Sequence, residues 1–182
     1  MTVVVDTNVP VVANGKSEQA SPECVKNCAV RIRQLTKEGK LVLDDRWLII
    51  REYMSNLRSR GEPGTGYAFL KWVLTNRSNP NRCELVKITP KDASETDFEE
   101  FPSDPALEDF DPTDRKFVAV ALAHPKRPPV LQAVDVQWWE MRQALSAAGV
   151  TIDFLCKDDL ERMAEEKADG PIPKLRAKSR SS

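Results

Sequence analysis

The sequence predicts an α/β fold: a three-layer sandwich whose central, mostly parallel sheet is flanked by helices. Short apolar runs at 2–5, 41–43 and 129–134 recur along the chain, and segments with apolar residues at steps of three and four lie between them. Strands that alternate with helices build a parallel sheet covered on both faces, and such strands read as unbroken apolar runs. The length, 182 residues, suits one domain.

The β-branched run Thr2-Val3-Val4-Val5 reads as a buried strand ending at Asp6. Ser21, Pro22 and Glu23 fit the N-cap, first and second positions of a helix carrying Val25, Ala29, Ile32 and Leu35, which Gly39 stops. Leu41 to Leu43 form the next strand, and Asp44-Asp45 before Arg46-Trp47 reads as a helix cap. The following helix sets Trp47, Ile50, Met54 and Leu57 on one face and closes at Gly61. Tyr67 to Leu74 predicts another helix, and Cys83 to Ile88 another strand.

Residues 90–112 contain four prolines and most of a dense acidic cluster, which predicts a long loop with a short helical turn. Asp111 at the N-cap and Asp114 three residues on open a helix through Phe117, Val118, Ala121 and Leu122. Pro129 to Val134 is a strand ending at Asp135, and Trp138 to Ala148 is a helix ending at Gly149. One tryptophan of the pair Trp138-Trp139 belongs to the core. Val150 to Leu155 is the next strand, and Asp158 to Lys167 the last helix. His124, before Pro125, reads as a residue at a helix C-terminus. The domain therefore spans 1–169, with an inserted helix and acidic loop at 62–112. Residues 170–182, with four bases, read as a disordered tail.

Apolar residues are 41 % and charged residues 30 % of the chain, the composition of a soluble globular protein. No apolar run approaches the roughly 18 residues of a membrane span, and Met1-Thr2-Val3 has no signal-type character. Membrane and secreted classes are thus excluded, and a cytoplasmic location is expected. In that setting Cys24, Cys28, Cys83 and Cys156 read as reduced thiols in the core. A zinc site is not expected of them, since Cys83 and Cys156 stand alone in sequence and His124 is the single histidine.

The chain carries 27 Lys+Arg against 28 Asp+Glu, a net charge of −1. Ten of those acids and one base fall between Lys91 and Asp114, which leaves 26 bases against 18 acids elsewhere. A basic face able to hold phosphates is compatible with that distribution.

Asp6, Asp44 and Asp135 each follow an apolar strand, where ligands of parallel sheets bind. Asp44 is accounted for as a cap. Asp6 and Asp135, joined by Glu52 and Asp114 from helices, leave four carboxylates for one site. Carboxylates repel one another and are seldom gathered without a cation. Oxygen ligands favour Mg²⁺ or Mn²⁺ over zinc. Such ions can bind a phosphodiester and lower the pKa of a water.

At these residues the chain resembles the PIN-domain family of metal-dependent nucleases. The resemblance runs from Val3 to about Leu155. It rests on Val4-Val5-Asp6-Thr7-Asn8, on Glu52-Tyr53, and on Asp114-Arg115-Lys116-Phe117-Val118-Ala119-Val120-Ala121-Leu122. Asp135 with Trp138, before the strand Gly149-Val150-Thr151-Ile152-Asp153-Phe154-Leu155, completes it. The resemblance implies a PIN-like sandwich in which Asp6, Glu52, Asp114 and Asp135 form the catalytic metal site, with Asn8 and Asp111 in support. It implies an endoribonuclease that cuts RNA by two-metal-ion hydrolysis, with DNA as an alternative substrate. A toxin or defence role, an antitoxin or other protein partner, and a homodimer belong to the same expectation. Arg46, Arg51, Arg115 and Lys116, close in sequence to the acids, are the expected phosphate contacts.

Two departures stand out. Ala133 lies two residues before the last acid, where many relatives place Thr, Ser or Asn, and the middle is longer than in small toxin-type members. The alternative is a PIN-like module that no longer cuts and serves to bind RNA or protein. A haloacid-dehalogenase-type phosphatase needs a second Asp where this chain has Asn8.

Overall fold

The structure is a computed structural model that describes residues 1–57 and 64–169. Thr2–Val5 form β1, Lys40–Asp44 β2, Cys83–Val86 β3, Val130–Gln132 β4 and Ile152–Phe154 β5. They make one sheet in the order β3-β2-β1-β4-β5, parallel at every pairing. This is the α/β sandwich the sequence predicts. Val3, Val4, Val5, Leu41, Val42, Leu43, Val130 and Leu131 are wholly buried, which is why these strands read as apolar runs rather than alternating ones.

From β1 the chain steps outward to β2 and β3, then returns past β1 to β4 and β5. Right-handed crossovers in two directions place helices on opposite faces. On the outward path lie α1 (Asn8–Ala13), α2 (Pro22–Glu38), α3 (Leu48–Leu57) and α4 (Thr65–Asn76), of which α1, α2 and α4 pack on one another. On the return path α5 (Arg115–Ala123) packs on β1, β2 and β4. The order reverses between β1 and β4. Their carboxyl ends are the topological switch point of the sheet, where ligands bind in open α/β folds.

Several boundaries follow the sequence closely. Ser21 caps α2 by accepting from the Cys24 N–H at 3.2 Å, and Gly39 ends it. Asp44 caps α3, accepting from the N–H groups of Arg46 (3.0 Å), Leu48 (2.8 Å) and Ile49 (2.9 Å). A turn of 3₁₀ helix at Pro105–Leu107 interrupts the acidic loop. The Gly61 stop and the tail 170–182 lie outside the described residues.

Other elements differ from the sequence reading. The helix α1 was not expected, because a single turn and a half containing Pro10 shows no periodicity. Pro10 is tolerated there as a first-turn residue whose N–H would have no helical partner. The helix after Asp135 is two pieces, α6 (Val136–Glu140) and α7 (Arg142–Ala147), which part at Met141. Neither Pro nor Gly marks the break. On its two sides α6 packs on α8 (Lys157–Ala168) and α7 on the 3₁₀ turn. Asp111 does not cap α5, whose N-cap position is Asp114; Asp111 instead closes the preceding turn on Thr113. β3, β4 and β5 are shorter than the predicted 83–88, 129–134 and 150–155. His124 is buried at the end of α5 and pairs with Glu84 at 2.6 Å, a partner 40 residues away in sequence.

The cysteines also depart from expectation. Cys24 and Cys156 form a disulfide across 132 residues, while Cys28 and Cys83 are buried free thiols. Only the docking of α2 against the start of α8 brings those two residues together, and no local pattern reports it. Burial pushes the Cys28 thiol up to about 12 and the Cys83 thiol to about 11. Among the described residues no helix is long and apolar enough to cross a membrane.

Candidate metal centre

Asp6 leaves the end of β1 and is 3 % exposed. Its Oδ1 accepts the Asn8 N–H at 2.8 Å, whereas its Oδ2 is buried with no hydrogen-bond partner, as is Oγ1 of Thr7 beside it. A buried carboxylate oxygen without a donor is costly unless a proton or a cation supplies one. The Asp6 carboxyl is held well above its usual range, first by burial and then by the charge of Asp114. The Asn8 N–H opposes the shift, and Glu52 and Asp135 add to it. Four acids distant in sequence thus act on one another at the switch point.

Asp114 stands at the start of α5. Its Oδ2 accepts the indole N–H of Trp138 at 3.0 Å, and burial is the main cause that pushes its pKa up to about 6. The Trp138 bond and Lys116 pull it down, while Asp135 and Glu52 push it up. Asp135 follows β4 and caps α6 through the Gln137 N–H at 2.8 Å. Burial raises its pKa against the N–H groups of Gln137 and Trp138, and Asp111 adds to the rise.

Glu52, on α3, is an ion-pair partner of Lys116, whose ammonium also donates to the Thr113 carbonyl. The Lys116 side chain is only 9 % exposed. An internal cation therefore faces the acids, at a position the sequence suggested for phosphate. The four carboxylates are gathered but not closed. Among the described residues, the one trio of His, Cys, Asp or Glu with ligand atoms within 4.8 Å of one another is made of cysteines.

The expected supports divide. Asn8 is at the centre: besides its N–H to Asp6, its Oδ1 accepts the Ala133 N–H at 3.0 Å and its amide donates to Oε1 of Gln132. The backbone of Ala133 thus joins the network although its side chain cannot. Asp111 is more remote: its carboxylate accepts from Thr113, and its own N–H donates to Oε1 of Gln137 at 2.8 Å. Arg115 is turned inward, bonded to the carbonyls of Glu108 and Phe110, paired with Asp97 and lying over Phe101. Arg46 and Arg51 are exposed and share Glu95 of the acidic loop. Three contributors were missed: Gln132, Trp138 as a donor to Asp114, and Tyr53, whose hydroxyl donates to the Val5 carbonyl. Trp138 stands three residues after Asp135, a spacing that held the only usable signal.

A cleft of about 700 Å³ runs along the outer edge of β3, lined by Arg77, Glu84, Lys87, His124 and Lys126, none of them a carboxylate of the centre. Compared with family models, curated proteins and solved structures, the chain finds no match.

Proposed function

We propose that the chain is a metal-dependent phosphodiesterase of the PIN type, an endoribonuclease acting in the cytoplasm. The observation that carries the reading is Asp6: a buried carboxylate at the switch point, with one oxygen unpartnered and three other acids raising its pKa. The donor set fits a hard divalent cation, since it is all oxygen and carries more negative charge than Lys116 offsets. Asp6, Asp114 and Asp135 would hold Mg²⁺ or Mn²⁺, which when bound supplies a water of lowered pKa and charge to steady the phosphate.

The chain's own groups carry the remaining roles. Trp138 fixes the direction of Asp114 through its N–H, and Asn8 fixes Asp6 to the end of β4. Glu52, once parted from Lys116, orients the attacking water by accepting its proton. Lys116 then offers its charge to a phosphate oxygen, and Arg46 and Arg51 hold flanking phosphates. A non-cutting RNA- or protein-binding module is the second reading, favoured by the Lys116–Glu52 pair that already neutralises one acid.

Incubation with labelled RNA and single-stranded DNA, in Mn²⁺ and in EDTA, separates the two. The nuclease reading expects cleavage in Mn²⁺ that EDTA abolishes. Binding without cleavage in every metal supports the module.

A further inference from the structure

Three sulfurs meet where the starts of two helices come together, none of them a member of the carboxylate set. Cys24 and Cys28 lie one turn apart on α2, and Cys156 is the N-cap residue of α8. All three are buried, at 2 %, 0 % and 4 % exposure, and their sulfurs lie within 4.8 Å of one another. Cys28 is not part of the disulfide, yet its sulfur is 3.8 Å from that of Cys156. We propose that, once the Cys24–Cys156 disulfide is reduced, Cys24, Cys28 and Cys156 form a binding site for a thiophilic divalent d¹⁰ cation of the zinc and cadmium class.

The dimensions suit such an ion. A zinc–sulfur bond of about 2.3 Å in tetrahedral geometry sets the sulfurs about 3.8 Å apart. Cys28 and Cys156 already stand at that separation. The bonded Cys24–Cys156 pair must open, and Cys24 already lies within 4.8 Å of Cys28.

The charge is also provided for. Three thiolates around a dication leave one net negative charge in a buried place, which needs positive surroundings. Two helix N-termini converge there: Cys24 is the third residue of the 17-residue α2, and Cys156 caps the 12-residue α8. Both present partial positive charge to the sulfurs, offset in part by Glu23, Asp158 and Asp159 of the same first turns. Asp159 of α8 accepts the Ser21 N–H at 2.9 Å and so ties the two helix starts together without a disulfide. A cleft of about 220 Å³, lined by Ser21, Asn27, Cys24 and Cys156, gives the ion a way in.

The balance is simple. A dithiol reductant opens the disulfide by exchange, leaving Cys24 and Cys156 as thiols and itself as a cyclic disulfide. The cation then displaces three thiol protons, which go to solvent. Oxidation by a low-molecular-weight disulfide re-forms the Cys24–Cys156 bond with two electrons passing to the oxidant, and the ion leaves.

The full chain is reduced with dithiothreitol, freed of it without air, and titrated with Cd²⁺. Expected are a sulfur-to-cadmium charge-transfer band saturating at one ion per chain and no band in the unreduced protein. Cys28→Ser, which keeps the disulfide pair and so folds under oxidation, should lose about a third of the reduced band and bind at least tenfold more weakly. Cys83→Ser and Asp6→Asn should leave the band unchanged, the latter keeping this test apart from the carboxylate reading. No band on reduction, a band indifferent to Cys28→Ser, or a band lost in Cys83→Ser overturns the proposal. So does a reduced chain whose helical circular dichroism is lost and does not return with Cd²⁺.

Discussion

Replacing Asp114 by Asn tests whether the acids form a charge-strained cluster. The Asp114 carboxyl is raised from 3.8 to about 6, chiefly by burial, which corresponds to about 3 kcal/mol borne by the ionised form at neutral pH. For a raised acid the folded state holds the extra proton, so this stability is present below about pH 4 and is lost as pH rises through 6. Asn keeps the shape and can still accept the Trp138 N–H. It forfeits part of the gain through a weaker bond and its own desolvation. A net gain of about 1 to 2 kcal/mol at pH 8 without metal is expected. That raises the melting temperature by roughly 2 to 8 °C for a domain of this size. At pH 4.5 the gain should vanish. With excess Mg²⁺ at pH 8 the order should reverse, because the wild type gains binding energy that the variant lacks. Thermal unfolding of both proteins in EDTA at the two pH values, and in Mg²⁺, reads all three arms. If Asp114→Asn melts below wild type at pH 8 in EDTA, the cluster is not strained and the account of the site fails.

Further predictions follow from single contacts. Asp6→Asn should lower RNA cleavage at least 100-fold while the chain still folds, checked by gel assay in Mn²⁺ alongside circular dichroism; retained cleavage contradicts the assignment. Trp138→Phe removes the N–H that Oδ2 of Asp114 accepts, so that carboxyl should titrate above 6, as followed by carbon NMR. Lys116→Met strands Glu52 and should destabilise the fold by about 1 to 3 kcal/mol, measured by urea denaturation. Gly66→Ala would set a Cβ 2.2 Å from the Pro10 carbonyl oxygen, prising α4 from α1. A loss of about 1 to 3 kcal/mol is expected in the same assay.

The sequence by itself determined the α/β class, all five strand positions to within two residues, and the limits of α2 to the residue. Those features rest on local physics: apolar runs for strands buried on both faces, Ser-Pro-Glu and Gly for helix ends, and Asp44 as a cap. It also singled out four acids as candidates, Asp6 and Asp135 because they end strands, and Glu52 and Asp114 on helices through the family resemblance. The tertiary structure decided what no neighbour in sequence can report. The sheet order alone puts β1 beside β4 and so brings Asp135, 129 residues on, to the end of the strand that holds Asp6. The return of α5 across the sheet turns Lys116 inward to Glu52, where sequence proximity to acids suggested an outward phosphate contact. The meeting of the starts of α2 and α8 makes a disulfide and a trio of sulfurs from residues with no shared local pattern. Strand and helix formation depend on side chains a few residues apart, whereas charge pairing and sulfur chemistry depend on distances in space that only the packed chain fixes.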